Sequence, residues 1–324
     1  MTTLKDSFGR TIDYLRLSIT DRCNLRCIYC MPAEGVAWVP HNDILTFEEI
    51  IRICRIMAGV KIRNIKVTGG EPLVRRGATE LVKNLKNLPG IEKVTMTSNG
   101  TLLGGYLDDL SQAGLDAVNI SLDSVNRAIF RRITGKDGIE QIFAAIRRAG
   151  ELGLPVKINC VPLRGVNECD VVNIAGLAKK GNLMVRFIEL MPLGAAAVFH
   201  PIPVKDLISM LEKEYGFLMP VTDKIGNGPA SYYTLSGFTG YIGFISALSH
   251  RFCAGCNRLR LSAEGFLKPC LSGNMELDLR ALLRGGASDK KIETAIEELV
   301  MCKPEQHSFL SGGHGQKEMF RIGG

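Results

Sequence analysis

Residues 14–30 read Tyr14-Leu15-Arg16-Leu17-Ser18-Ile19-Thr20-Asp21-Arg22-Cys23-Asn24-Leu25-Arg26-Cys27-Ile28-Tyr29-Cys30. The first six residues alternate in the manner of a strand with one buried face. Just past that strand come three cysteines spaced C-x3-C-x2-C. Thiolates are soft ligands suited to iron–sulfur clusters or to zinc. Three of them at this spacing can hold three irons of a four-iron cluster and leave the fourth open, where a substrate or cosubstrate can bind. A zinc knuckle is the competing use of the same thiols.

Outward from this stretch, strand-like and helix-like patterns alternate. Strands are expected at 15–19, 62–67, 94–97, 117–122, 156–161 and 183–189. Helices are expected at 46–57, 78–88, 103–113, 139–152 and 171–179, the first with Thr46 and Glu49 as a capping box. Strands separated by helices of this length build a parallel sheet from βαβ units. Six are too few for a closed (β/α)8 barrel, so the expected class is α/β, an incomplete TIM-type (β/α)6 barrel. Beyond about residue 203 the texture changes to a helix at 205–215 and then short β-like runs at 231–235 and 241–246. A hairpin follows at 257–262 and 266–269, then helices at 277–283 and 290–302. This reads as a C-terminal α+β extension that closes the channel, with the division into 1–220 and 221–324.

At 324 residues, 46% hydrophobic and 23% charged, the composition is that of a soluble globular chain with a sizeable core. No stretch approaches the ~20 continuous apolar residues that span a bilayer, and the first ten residues lack the apolar core of a signal peptide. The expected location is therefore the cytoplasm, with no membrane partner. Of ten cysteines, six fall into two close groups, which suits metal binding better than disulfides in a reducing compartment. Cys54, Cys160, Cys169 and Cys302 stand alone and read as core filler or incidental thiols. The net charge is +7 without any run of five or six basic residues, and aromatics are 6%. Nucleic acid is not implied; a small polyanion held by a few arginines fits at least as well.

The second cysteine group is Cys253-x2-Cys256 with Cys270, at the two ends of the expected hairpin. Arg258 and Arg260 follow Cys256, and strand alternation puts both guanidiniums on one face, a pair of forks suited to polyphosphate. With His250 the same cysteines could instead form a structural zinc site. After the strand at 62–67 comes Thr68-Gly69-Gly70-Glu71-Pro72, where two glycines let the backbone approach a ligand closely.

The cysteine loop and the glycine turn together resemble the signature of the radical SAM enzymes. That likeness implies S-adenosylmethionine contacts at Gly70, at Ser121 of Asn119-Ile120-Ser121-Leu122-Asp123, at Tyr29 through its backbone, and at Met191 of Arg186-Phe187-Ile188-Glu189-Leu190-Met191-Pro192. With Leu15 to Asn24, Cys253-Ala254-Gly255-Cys256-Asn257-Arg258-Leu259-Arg260 and the closing Gly323-Gly324, the chain resembles the GTP 3',8-cyclase family of molybdenum-cofactor biosynthesis over nearly its whole length. The resemblance implies two four-iron clusters, one at each end of a barrel channel, held by Cys23, Cys27 and Cys30 and by Cys253, Cys256 and Cys270. GTP contacts would be Arg16, Lys66, Thr97, Lys157, Arg258, Leu259 and Arg260. A radical derived from S-adenosylmethionine would take hydrogen from C3' of GTP, and C3' would then bond to C8 of guanine, giving (8S)-3',8-cyclo-7,8-dihydroguanosine 5'-triphosphate. Implied partners are an electron donor such as flavodoxin or ferredoxin and the cyclic pyranopterin monophosphate synthase that takes the product. Monomer and homodimer are both left open.

Two positions depart from the family pattern. Lys66 stands where arginine is also used, which makes a forked contact a point charge. Arg75-Arg76-Gly77 lacks the usual acidic residue after the arginine pair, which bears on how the next helix starts. The rival enzyme class is a radical SAM peptide-modifying protein with an auxiliary cluster, but such proteins usually carry more C-terminal cysteines and lack the paired arginines and the terminal Gly-Gly.

Terminal glycines are ordinarily a spectator tail. Here they follow Met319-Phe320-Arg321-Ile322, and a tip without side chains can enter a filled channel where larger residues clash. The resemblance implies catalytic roles for Gly323 and Gly324 beside Arg258 and Arg260. Deleting Gly323 and Gly324 is expected to leave both clusters and GTP binding nearly intact while greatly reducing cyclised product. A truncated chain that turns over GTP at the full rate would make the tail a spectator.

Overall fold

The computed structural model describes residues 3–32, 34–223 and 225–309. Its frame is six strands, β1 (Tyr14–Ser18), β2 (Asn64–Thr68), β3 (Lys93–Ser98), β4 (Ala117–Ser121), β5 (Val156–Cys160) and β6 (Met184–Ile188), hydrogen-bonded in chain order and all parallel. Parallel neighbours need a crossover, and helices supply it: α1 (Phe47–Gly59), α2 (Ala78–Lys86), α3 (Leu107–Gln112), α4 (Arg127–Thr134), α5 (Ile139–Glu151) and α6 (Val171–Gly176). The capping box at α1 is formed, with Thr46 Oγ1 accepting from the Glu49 N–H at 3.2 Å and Glu49 accepting from the Thr46 N–H at 2.8 Å.

After α7 (Val204–Tyr215) the chain adds β7 (Met219–Pro220), β8 (Ser231–Thr234), β9 (Tyr241–Ile245), β10 (Arg258–Leu261), β11 (Phe266–Lys268) and β12 (Leu277–Asp278), then α8 (Leu279–Arg284) and α9 (Asp289–Met301). These late strands join both edges of the same sheet. β9 pairs parallel with β6 and carries β8 and β7 antiparallel; β10 pairs parallel with β1 and carries the β11 hairpin and β12. The sheet runs β12-β11-β10-β1-β2-β3-β4-β5-β6-β9-β8-β7 without closing on itself, an incomplete TIM-type barrel extended at each edge by the C-terminal third. No helix among the described residues is long and apolar enough to cross a membrane.

The alternation along each strand sorts residues onto two faces. Leu15, Leu17, Ile65, Val67, Met96, Val118, Ile158, Val185, Phe187, Leu259 and Leu261 belong to one apolar core packed with the helices. The alternate positions are Arg16, Lys66, Thr97, Asn119, Lys157, Asn159, Arg186, Arg258 and Arg260. The inner face of this barrel is therefore polar and basic, which a closed apolar barrel interior is not.

Three local features differ from the sequence expectations. The helix expected at 103–113 is split, because Gly104 and Gly105 tighten its start into a 3-10 turn before α3. Helix α4 was not anticipated. It is short and arginine-rich, and it is fixed by the Asn126 cap, which accepts from the Ala128 and Ile129 N–H groups, and by burial of Phe130 and Ile133. The helix expected from 277 starts two residues late, where Asp278 of β12 accepts from the Ala281 N–H at 2.8 Å. At Arg75-Arg76-Gly77, Gly77 takes φ 81° to launch α2. Arg75 turns back to donate to Ile19 O and Leu45 O and stacks over Phe47.

Candidate active site

Strand direction places the two cysteine groups. The Cys23–Cys30 loop leaves the carboxyl end of β1, the end where parallel α/β sheets gather their chemistry. Cys253 and Cys256 precede β10, which runs parallel to β1, and Cys270 follows β11, which runs antiparallel to β10. The second group therefore sits at the amino end of the parallel strands. One cavity of about 320 Å³ is lined by all six of these cysteines, with Arg16, Thr97, Arg258 and Arg260 among its other walls.

At the first group, Cys23, Cys27 and Cys30 are half-buried and none is in a disulfide. Burial, then Cys30, Asp123 and Cys23, push the Cys27 thiol well above its ordinary value. Burial does the same to Cys23, opposed by the Leu25 N–H and the Asn99 amide that reach its sulfur. Metal binding has to displace these protons and repays the cost. The glycine turn is held against this loop. Gly70 N donates to Thr20 O and Glu71 N to Arg22 O, both at 2.8 Å. A Cβ on Gly70 would lie 2.4 Å from Arg22 O, and one on Gly69 2.6 Å from Thr20 O, so only glycine permits the approach. Behind it, buried Glu71 accepts from the N–H groups of Leu73 and Asn99 and from Ser98 Oγ, and burial lifts its carboxyl to about 7. Tyr29 points its hydroxyl at Asp123, which also accepts from the Val161 N–H at 2.8 Å; burial lifts Asp123 to about 6.

At the second group, burial raises the Cys256 thiol, but Lys303, the Arg258 N–H, Arg258 and Arg260 outweigh it and leave the thiol below its ordinary value. His250 is exposed and is not part of the cavity wall, so the zinc set expected as one alternative is not assembled. Among the described residues no three His, Cys, Asp or Glu side chains converge closely enough to share one metal ion. A tetrahedral zinc with Zn–S bonds of about 2.3 Å would hold its sulfurs about 3.8 Å apart. A four-iron cluster binds each thiolate through a different iron and does not require the three sulfurs to meet at one ion.

Between the triplets the strand register gathers cations. Arg16 stands beside Arg260 on one side and Lys66 on the other; Lys157 stands beside Asn119, and Arg186 beside Asn159. Burial, then Arg186, Arg16, Lys157 and Arg258, push the Lys66 ammonium well down. Burial and Arg186 bring Lys157 to about 8. Burial, Arg16 and Arg258 likewise hold Arg260 below its ordinary value, and its Nη1 is buried with no hydrogen-bond partner. No ion pair among the described residues involves Lys66, Lys157, Arg186, Arg258 or Arg260. A pocket of mutually repelling cations with an orphaned donor is built for a polyanion.

Of the expected contacts, Tyr29, Gly70, Ser121 and Met191 line the cavity together with Arg16, Thr97, Arg258 and Arg260. Lys66 and Lys157 lie outside its wall but within electrostatic reach of the same arginines. The Leu259 side chain is fully buried in the apolar core, because the alternation that turns its neighbours inward turns it outward. Lys157 is flanked by β4 and β6. Gly323 and Gly324 lie outside the described residues. Arg186 and Asn159, whose guanidinium and Oδ1 are 2.6 Å apart, are not among the expected contacts, although a basic residue in an otherwise apolar strand is itself a signal. Gly243 makes room for Arg186, since a Cβ there would come within 3.0 Å of its Cγ. Glu71, Asp123 and His307 were also passed over.

Residues 17–178 match the radical SAM superfamily, and residues 183–309 match the Molybdenum Cofactor Synthesis C family. The GTP 3',8-cyclase of Desulforamulus reducens is 44% identical over 323 residues, covering 98% of this chain and 99% of that one. The GTP 3',8-cyclase of Heliobacterium modesticaldum is 46% identical over 325 residues, with 98% and 99% covered. Among solved structures, Streptococcus suis SuiB bound to S-adenosylmethionine shares the fold with a TM-score of 0.60 at 14% identity. That match covers 83% of this chain, and the chain spans 65% of SuiB. Identity above two fifths along nearly the full length of both chains reaches well past a common fold, and the chain belongs to the GTP 3',8-cyclase family of the radical SAM superfamily.

Proposed function

We propose that this chain converts GTP to (8S)-3',8-cyclo-7,8-dihydroguanosine 5'-triphosphate at the expense of S-adenosylmethionine, an early step of molybdenum-cofactor biosynthesis. The observation that carries this reading is a single cavity lined by two cysteine triplets from opposite ends of the barrel strands, with basic side chains on the inner face between them. Cys23, Cys27 and Cys30 would hold one four-iron cluster, and Cys253, Cys256 and Cys270 the other. When bound, the first supplies the electron that opens the sulfonium of S-adenosylmethionine, and the second offers an open iron to guanine.

The chain's own residues bind and orient. Gly70 offers backbone that no side chain obstructs, Ser121 and Met191 complete the cosubstrate wall, and Tyr29 is fixed by Asp123. Arg16, Arg258, Arg260, Lys66, Lys157 and Arg186 neutralise the triphosphate, and Thr97 lines the space between. Holding C3' of the ribose against the cosubstrate is a proximity effect, and the enclosing walls exclude water; the radical chemistry belongs to the cofactor. Residues 1–220 would carry the first cluster and the cosubstrate wall together with Arg16, Lys66, Thr97, Lys157 and Arg186 of the substrate site, and residues 221–324 the second cluster with Arg258 and Arg260. The electron donor, flavodoxin or ferredoxin, and the synthase that takes the product complete the pathway in the cytoplasm.

The test is anaerobic reconstitution, followed by iron and sulfide analysis with zinc counted alongside. About eight irons per chain and consumption of GTP only with S-adenosylmethionine present are expected; one zinc per chain at the second triplet, or no GTP consumption, contradicts the reading. Arg258→Ala is expected to weaken GTP binding by about 1.5–3 kcal/mol, the range for a charged hydrogen bond, with little change in S-adenosylmethionine affinity. Equal loss of both ligands would point to a damaged fold.

The titration of Lys157 gives a pH dependence. In the free site its ammonium loses its proton near pH 8 because burial and Arg186 disfavour the charge. A bound triphosphate favours the charged form and raises that value. Above about pH 8, until the raised value of the bound state is reached, GTP binding therefore takes up protons, and affinity falls as pH rises through this window. Calorimetry in buffers of different ionisation enthalpy reads the uptake directly. Lys157→Met should reduce it, and an unchanged proton count in that variant would remove Lys157 from the phosphate site.

A further inference from the structure

The residues from 303 to 309 form a strap across the second triplet. Arg10 donates to Pro304 O at 2.7 Å, to Glu305 O at 2.9 Å and to Cys253 O at 2.8 Å. The Arg251 guanidinium donates to Gln306 Oε1 at 2.7 Å, His307 Nε2 bonds Ala247 O at 2.6 Å, and the Ser308 N–H donates to Ser272 Oγ at 3.1 Å. The strap opens with Lys303, directly after α9, and Lys303 is only 3% exposed. An ammonium has three donors and no acceptor. Here Nζ donates to Arg258 O at 2.9 Å and to Pro269 O, and it also reaches the Cys256 side chain. Arg258 lies two residues after Cys256, and Pro269 immediately precedes Cys270. One buried side chain thus ties together the two segments that present these cysteines, and none of the ion pairs among the described residues gives it a carboxylate. A buried charge without a counter-ion is strongly unfavourable, whereas a four-iron core on three thiolates is an anion.

We propose that Lys303 is the positioning residue of the second cluster: its ammonium donates to the Cys256 sulfur, fixes the Cys256 and Cys270 backbones, and raises the reduction potential of the cluster bound there. The inference rests on the reading of Cys253, Cys256 and Cys270 as a cluster site. Hydrogen bonds and positive charge at the ligand sulfurs stabilise the more negative, reduced form, and partners of this kind govern both retention and potential of a metal group.

The experiment uses the full chain reconstituted with iron and sulfide, comparing wild type with Lys303→Met, Lys303→Gln and Lys303→Arg. The readouts are spectroelectrochemical titration of each cluster and the rate of iron loss to a chelator. Lys303→Met should move the second cluster to a more negative potential and speed its iron loss, with the first cluster unchanged as an internal check of folding. Lys303→Arg should restore most of both, and Lys303→Gln, which keeps donors without charge, should fall between. If Lys303→Met fails to load the second cluster, the comparison of Gln with Arg decides: a lower potential in Gln supports the proposal, and equal potentials overturn it. A Met variant with wild-type potential and iron retention also overturns it. Wild type that loads only one cluster would refute the cluster site itself, an outcome distinct from these.

Discussion

Four residues of β1 pair in parallel register with four of β10, from Tyr14 with Arg258 to Leu17 with Leu261. Both ends of the site hang on this ladder. It sets the C-x3-C-x2-C loop at one end of the strands and Cys253 and Cys256 at the other. It also brings Arg16 level with Arg260, so that two guanidiniums from opposite parts of the sequence face one space. Parallel pairing between segments so distant closes a very large loop, whose entropy must be offset by the packing that follows. The apolar outer face supplies that packing: Leu15, Leu17, Leu259 and Leu261 are all fully buried against the helices.

The inner face works against stability. Arg16, Lys66, Lys157, Arg186 and Arg260 are at least half-buried near one another, and burial first, then their mutual repulsion, lowers the proton affinity of each. Strain of this sort persists where the rest of the structure over-determines it and where a ligand relieves it. A bound triphosphate would supply the missing negative charge, and anything that binds only the native state stabilises it.

Several parts of this arrangement were legible in the sequence and others were not. The period-2 alternation gave the six central strands, Thr46 and Glu49 gave the first turn of α1, and the spacing of Arg258 and Arg260 gave their shared face, because each of these is written in neighbouring residues. The attachment of β9 to β6 and of β10 to β1 is a choice among long-range pairings, and no local pattern encodes it. Arg186, basic in an otherwise apolar strand, appears in the sequence only inside the motif that carries Met191. Lys303 gave no signal at all: in sequence it opens a polar tail, and only folding buries it between Arg258 O and Pro269 O. Leu259 shows the opposite case, where proximity in sequence to two arginines says nothing about facing the same way.

The central claim is that hydrogen leaves C3' of GTP inside this cavity. It is tested most directly with GTP deuterated at C3', incubated anaerobically with the reconstituted chain, a reductant and S-adenosylmethionine, and with mass analysis of the 5'-deoxyadenosine released. The account predicts 5'-deoxyadenosine carrying one deuterium in amounts matching the cyclised product. Unlabelled 5'-deoxyadenosine formed alongside consumed GTP would contradict it.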